Sequence, residues 1–225
     1  MMNQPSNTAF GLYELFRIVI PGFYFAALSF LFFRSYLYQF LPLRINSTTA
    51  LLLVAFFTII AGLTLYAKET TKRRKAFQEN QPSRFLSDKA RTMKNMPLLD
   101  THAARKLYFY LLNNHMPAAF HEKIFFFGTV YHIMTTLRRT SFWFAVLGTL
   151  AIGFEMYRES SLSDIQVLVL FTIGVWLIYL LNVRYNKADR KMQENYQDQI
   201  FWLQMNTELV ETILRKYRDA GTEEK

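Results

Sequence analysis

The sequence predicts an all-α integral membrane protein: four transmembrane helices in two hairpins, a helical cytosolic segment between spans two and three, and a long cytosolic C-terminal helix continuing span four. Three observations carry that expectation. Mean hydropathy is only +0.06 although 52% of the residues are hydrophobic, because the apolar residues gather into four blocks instead of recurring at the short periods of a soluble domain. All six prolines (Pro5, Pro21, Pro42, Pro82, Pro97, Pro117) precede Ala118, so the remainder lacks the strongest helix breaker. Of the 26 Lys and Arg residues, 14 fall in residues 67–140 and eight after Val183.

Residues 1–66 read as the first transmembrane hairpin. Glu14 and Arg17 stand three apart and pair at the membrane surface. Span one covers residues 18–33, with Pro21-Gly22 in its first turns, where a missing N–H costs little. Arg34 is expected to snorkel toward the headgroups, followed by the aromatic Tyr36, Tyr38 and Phe40 and by Pro42. Span two covers residues 49–66, capped by Asn46-Ser47-Thr48.

Residues 67–140 read as a basic, helical cytosolic segment. A short helix is expected to start at Ser87-Asp88 and stop before Pro97. A second runs from Asp100-Thr101 to Leu112, and Asn113, Asn114 and Pro117 end it. A third starts at Ala118, with Phe120, Ile124, Phe127, Tyr131 and Met134 on one face.

Residues 141–183 form the second hairpin, with spans at 141–157 and 165–183. Trp143 and Tyr157 mark the interfaces, and Ser141, Ala145, Thr149 and Gly153 form a ridge of small residues suited to helix–helix approach. The tail, residues 184–225, places Met192, Tyr196, Gln199, Leu203, Asn206, Val210, Ile213 and Tyr217 at alternating steps of four and three. That is coiled-coil spacing, with polar Gln199 and Asn206 on the seam. Ile200, Trp202, Leu209 and Leu214 widen the stripe, so packing on the 67–140 segment of the same chain is the competing arrangement.

The placement of cations puts both termini and the 67–140 segment on the cytoplasmic side of the inner membrane. The N-terminus has no basic, cleavable leader, so the first apolar block is expected to stay as a span. Cysteine is absent, which excludes thiolate chemistry and cysteine metal sites. His102, His115, His121 and His132 match no metal-binding spacing, and no phosphate-binding loop or nucleophile elbow occurs. The inner stretches of the spans lack the ionisable relay a pump requires. Neither a catalytic activity nor a cofactor is expected.

Two basic groups and one set of packing residues remain as candidates. Lys68, Lys72, Arg73, Arg74 and Lys75 suit anionic lipid headgroups, or serve only to anchor span two. Arg84, Lys89, Arg91, Lys94, Arg105 and Lys106 suit a phosphate-bearing ligand such as a nucleotide or RNA, or a partner's acidic surface, or form a solvated face. Ser141, Ala145, Thr149 and Gly153, with Leu203, Asn206, Val210 and Ile213, are the expected oligomer interface.

The layout resembles small multi-span proteins encoded with prokaryotic immune systems, a likeness of layout that no motif carries. The small-residue ridge, the coiled-coil spacing of the tail and the cationic cytosolic surface lead us to expect a homo-oligomeric membrane protein whose cytosolic region binds a ligand or partner and which acts on the membrane as a pore-forming or membrane-perturbing effector. The alternative is a non-enzymatic anchor that recruits a soluble partner.

Overall fold

In the computed structural model, which describes residues 7–40, 47–78, 81–94, 98–158 and 162–223, every regular element among the described residues is a helix. They are α1 (Asn7–Phe40), α2 (Ser47–Ala76), α3 (Pro82–Thr92), α4 (Thr101–Asn114), α5 (Ala118–Tyr157), α6 (Leu162–Tyr185), α7 (Ala188–Met205) and α8 (Thr207–Glu223). Two units divide the chain. One takes Lys72–Gly128 and Asp189–Lys225, the other Thr8–Thr71 and Thr129–Ala188.

The second unit is apolar on its outside. Three stretches are long and apolar enough to cross a membrane, Gly11–Phe33, Thr48–Arg73 and Ile165–Met205, and only 28%, 17% and 11% of their apolar windows are buried. Side chains such as Leu51, Leu52, Phe56, Leu147, Leu150, Phe154, Leu170 and Leu177 stand exposed. Water would penalise that surface heavily and hydrocarbon does not, so the arrangement is consistent with a membrane location.

Helix directions within this unit follow from its contacts. Gly22 meets Thr58 and Gly62, and Gly62 meets Ile18, so α1 and α2 run antiparallel. Tyr24 bonds Ser141 while Phe32 lies against Phe144 and Gly148, so α1 and α5 run parallel. Gly148 touches Thr172, and Phe142 packs on Trp176 and Tyr179, so α6 is antiparallel to α5. One end of the unit therefore collects the start of α1, the end of α2, residues 129–139 of α5 and the end of α6. Its apolar core is Leu28, Phe144, Ala145 and Val175, with Tyr24, Phe25, Phe32 and Trp176 around them.

The other unit has the ordinary build of a water-facing helical domain, with amphipathic helices closing on one core. Leu86 and Ala90 of α3, Leu107, Leu111 and Leu112 of α4, Leu203 of α7 and Val210, Ile213 and Leu214 of α8 meet there. Asp100 caps α4 by accepting from the Ala103 N–H at 2.6 Å, where the sequence places it.

Three expectations are corrected. Helix α2 continues ten residues past Tyr66, through the cationic cluster, because Lys and Arg are good helix formers. Helix α3 begins at Pro82, favoured at a first helical position, so Ser87 and Asp88 lie in its middle. Helix α5, by contrast, runs unbroken for 40 residues from Ala118 through the second apolar hairpin's first stretch, as expected from the sequence. The tail does not continue α6: the helix breaks at Asn186 and Lys187. There the Asn186 side chain accepts from the Ala188 N–H and donates to Asn182 Oδ1, each at 2.7 Å, the local bonding by which asparagine competes with a helix. The side chains of Arg34, Tyr36, Tyr38, Phe40 and Arg74, and residues Pro42, Asn46 and Pro97, lie outside the description.

Helices α1 and α2 touch backbone to backbone at their glycines. A Cβ at Gly22 would lie 2.1 Å from the Thr58 carbonyl oxygen, and one at Gly62 2.2 Å from that of Ile18. Neither acceptor is a flexible side chain, so the helices must separate. We expect Gly22→Leu or Gly62→Leu to cost about 3 kcal/mol, the top of the usual overpacking range, and to lower the melting temperature in detergent by roughly 10 °C. Gly174→Ala, with nothing within 4 Å of the added atom, should leave the melt unchanged.

Candidate functional site

In the apolar-surfaced unit, the polar groups point inward. On α5 the residues Thr129, His132, Thr136 and Thr140 recur at steps of three and four and are all buried. Trp143, Leu147, Leu150 and Phe154, at the same spacing further along, are exposed. A helix of a soluble protein shows the reverse.

Two ion pairs stand beside this polar face. Arg17 of α1, almost fully buried, donates from Nε to Thr129 Oγ1 at 3.0 Å, and its guanidinium also pairs with Glu14. Glu69 of α2, equally buried, pairs with Arg139 of α5, seventy residues away. Between these pairs the Tyr66 ring packs on His132 with centroids 5.1 Å apart. Further along, Ser141 Oγ donates to the Leu137 carbonyl and accepts from the Tyr24 hydroxyl, both at 2.7 Å. The layer thus links α1, α2 and α5.

A second polar group lies in the core of the water-facing unit. The Tyr108 hydroxyl donates to Gln199 Oε1 at 2.6 Å, and burial, with a smaller push from Tyr196, raises the pKa of that hydroxyl. Asn195, one turn earlier on α7, is fully buried, and its amide finds no hydrogen-bond partner among the described residues. Of the histidines, His121 Nε2–H donates to the Leu112 carbonyl at 2.6 Å, closing the end of α4. No group of three or more metal-ligating side chains forms among the described residues.

The candidate residues from the sequence are distributed as follows. Lys68, Lys72 and Lys75 are exposed on α2, and Arg73 is half-buried there. In the second basic group, Lys89 pairs with Glu211 of α8 at 2.8 Å and holds that carboxyl below its ordinary range. Arg84 and Arg91 flank Asp88 at 3.8 and 3.6 Å. Lys94 and Lys106 are exposed and Arg105 half-buried, with no ion pair to them among the described residues. Half of this group is thus committed to carboxylates of its own unit.

The small-residue ridge divides in two. Ser141 and Ala145 are fully buried within the chain. Thr149, which accepts from Trp176 Nε1 at 3.1 Å, and Gly153, with open space beside it, are exposed. A close approach on α5 falls on Gly148, outside the ridge, where a Cβ would lie 2.5 Å from Thr172 Oγ1. In the tail, Leu203, Val210 and Ile213 are spent in the core of their own unit, and Asn206 Nδ2 donates to the Trp202 carbonyl. The arrangement found is the competing one, packing on the chain's own 67–140 segment.

The pairing of buried Glu69 with the part-exposed Arg139 has no short-range sequence signal. Glu69 stands inside a run of cations and its partner lies across two further helices. No family model, no curated protein and no solved structure matches the chain, so any functional reading has to come from this geometry.

Two outcomes are expected for the water-facing unit. Leu203→Ala should cost about 2–5 kcal/mol and lower the melting temperature, while the oligomeric mass by light scattering stays unchanged; loss of mass would place Leu203 on an intermolecular seam. The raised Tyr108 pKa favours the folded state fully below the unfolded value near 10.0, and that contribution is lost as pH climbs above it. Tyr108→Phe should lower stability at pH 7 by about 1–2 kcal/mol through the orphaned Gln199 and flatten the loss above pH 10, as denaturant midpoints against pH would show.

Proposed function

We propose that this is a non-enzymatic, multi-pass protein of the cytoplasmic membrane that assembles with copies of itself and acts on the bilayer. Helix α5 would supply the fourth crossing beside α1, α2 and α6, and both termini would be cytoplasmic. The orientation rests on cation placement, 22 of 26 lying in residues 67–140 and after Val183.

The reading is carried by the ionised layer inside a unit that is apolar outside. Ion pairs with one partner buried, such as those of Arg17 and Glu69, are a poor way to stabilise an inert anchor, because well-packed apolar residues of similar volume serve as well or better. Charged groups within membrane segments are costly and generally functional. Breaking the pairing of Glu69 with Arg139 would release α2 from α5 and open the polar face of α5. A ligand or partner on the cytosolic unit would be the trigger, and Lys94, Arg105 and Lys106 are the basic side chains best placed to receive an anion.

The second reading, an anchor for a soluble partner, has its own support. Leu98, Phe109, Tyr110, Phe201 and Met205 of the water-facing unit are all at least half exposed, and exposed apolar side chains of that size suit a protein partner.

The two readings separate in proteoliposomes. Vesicles carrying Glu69→Gln are expected to lose trapped potassium several-fold faster than those carrying the wild-type chain, with size-exclusion profiles showing both folded. Equal tightness of both vesicle sets would leave the anchor reading standing.

A further inference from the structure

At the polar end of the apolar-surfaced unit, α5 and α6 leave a groove of about 360 Å³ lined by Arg138, Arg139, Phe142, Trp143, Tyr179 and Val183. We propose that it holds the headgroup of an anionic glycerophospholipid. This rests on the reading that this end of the unit meets the cytoplasmic headgroups.

The lining mixes two arginines with aromatic and aliphatic side chains. Trp143 and Val183, 60% and 50% exposed, belong to the outward apolar face that acyl chains would cover. On both helices the apolar surface ends at this groove, before Arg138 and Arg139 on α5 and before Arg184 on α6. A phosphate at the arginines would leave its glycerol backbone and first methylenes against Trp143, one turn further into the apolar stretch of α5. Tryptophan and tyrosine characteristically sit at that depth, apolar ring inward and N–H or O–H toward the headgroups.

Arg139 lines the groove and also pairs with Glu69, and one carboxylate does not use up five N–H donors. Arg138 adds a second guanidinium, and the planar fork of each matches phosphate oxygens bidentately. A soluble phosphate would satisfy the arginines and leave the apolar half of the groove facing lipid, so the lipid is the better match. The site differs from the flexible lysines at 68–75, which offer charge without an apolar wall.

The test uses the full-length protein, stripped of lipid in detergent and exchanged into nanodiscs of phosphatidylglycerol or phosphatidylcholine. Retained lipid is then counted by native mass spectrometry. The wild-type chain is expected to keep phosphatidylglycerol at least tenfold better than phosphatidylcholine. Arg138→Gln should reduce that preference about tenfold and Arg138→Lys should restore part of it. Arg138 is chosen because replacing Arg139 would also break the pair with Glu69. Equal retention of the two lipids, or an unchanged preference in Arg138→Gln, overturns the proposal. So does displacement of the lipid by millimolar glycerol phosphate, which would assign the groove to a soluble anion. Because the chain has no cysteine, a single Lys187→Cys labelled by an impermeant maleimide in intact cells reports the orientation separately. Labelling from outside would remove the cytoplasmic placement whatever the lipid counts show.

Discussion

The apolar-surfaced unit depends on one pairing, that of Glu69 on α2 with Arg139 on α5. A carboxylate buried to this degree is largely cut off from water, while its partner keeps 37% of its side chain exposed. It must meet a cation, and the cation comes from seventy residues away. The pairing therefore fixes more than two side chains. It holds the end of α2 against α5, beside the place where Arg17 of α1 reaches Thr129. Three helices are tied at one level, and the polar end of the unit is defined by that level.

The same unit is held elsewhere by the opposite device, absence of side chain. At Gly22 and Gly62 the α1 and α2 backbones touch, and at Gly148 the α5 backbone meets Thr172 and Phe32. In hydrocarbon no hydrophobic force pushes helices together, so close van der Waals contact and polar bonds have to do it. The unit divides these roles along its length, with charge pairs and hydroxyl bonds toward the polar end and glycine contacts and the aromatic cluster around Phe144 beyond them. Burial of polar Thr129, His132 and Thr136 next to exposed Leu147 and Phe154 on one helix follows from that division.

The sequence makes some of this legible and hides the rest for identifiable reasons. Clustering of apolar residues is a local property, and it discloses the all-helical class and the apolar stretches of α1, α2 and α6. Asp100 as a helix cap is equally local, since the residue that caps lies three positions from the N–H it receives. The spacing of Leu203, Val210 and Ile213 discloses a buried stripe and is silent about what buries it, because a seam against another chain and a seam against Leu86 or Leu111 demand the same period. The polar face of α5 is hidden by its composition: the threonines from Thr129 to Thr140 and His132 are buried, and composition read along the chain cannot tell an inward polar face from an outward one. Gly22 and Gly62 look like ordinary membrane-helix glycines until each is seen opposite the other. The break at Asn186 is hidden because asparagine is tolerated in helices, and only its bonds to Ala188 and Asn182 show that it interrupts one here.

The fate of the tail bears on how copies of the chain would assemble, as proposed above. A seam built from Leu203, Val210 and Ile213 would require those side chains to leave a core in which each is already buried, and their loss from that core is not compensated by equal burial elsewhere. The stripe on α7 and α8 is therefore a poor source of self-association. The apolar-surfaced unit offers another surface, where Gly153 and Gly174 open notches with nothing within 4 Å of an added Cβ and Thr149 stands exposed. Small residues of this kind let a second helix approach closely in lipid, where close packing is the main driving force. An assembly made there would form within the bilayer and leave the basic, water-facing unit of each copy free to meet its ligand.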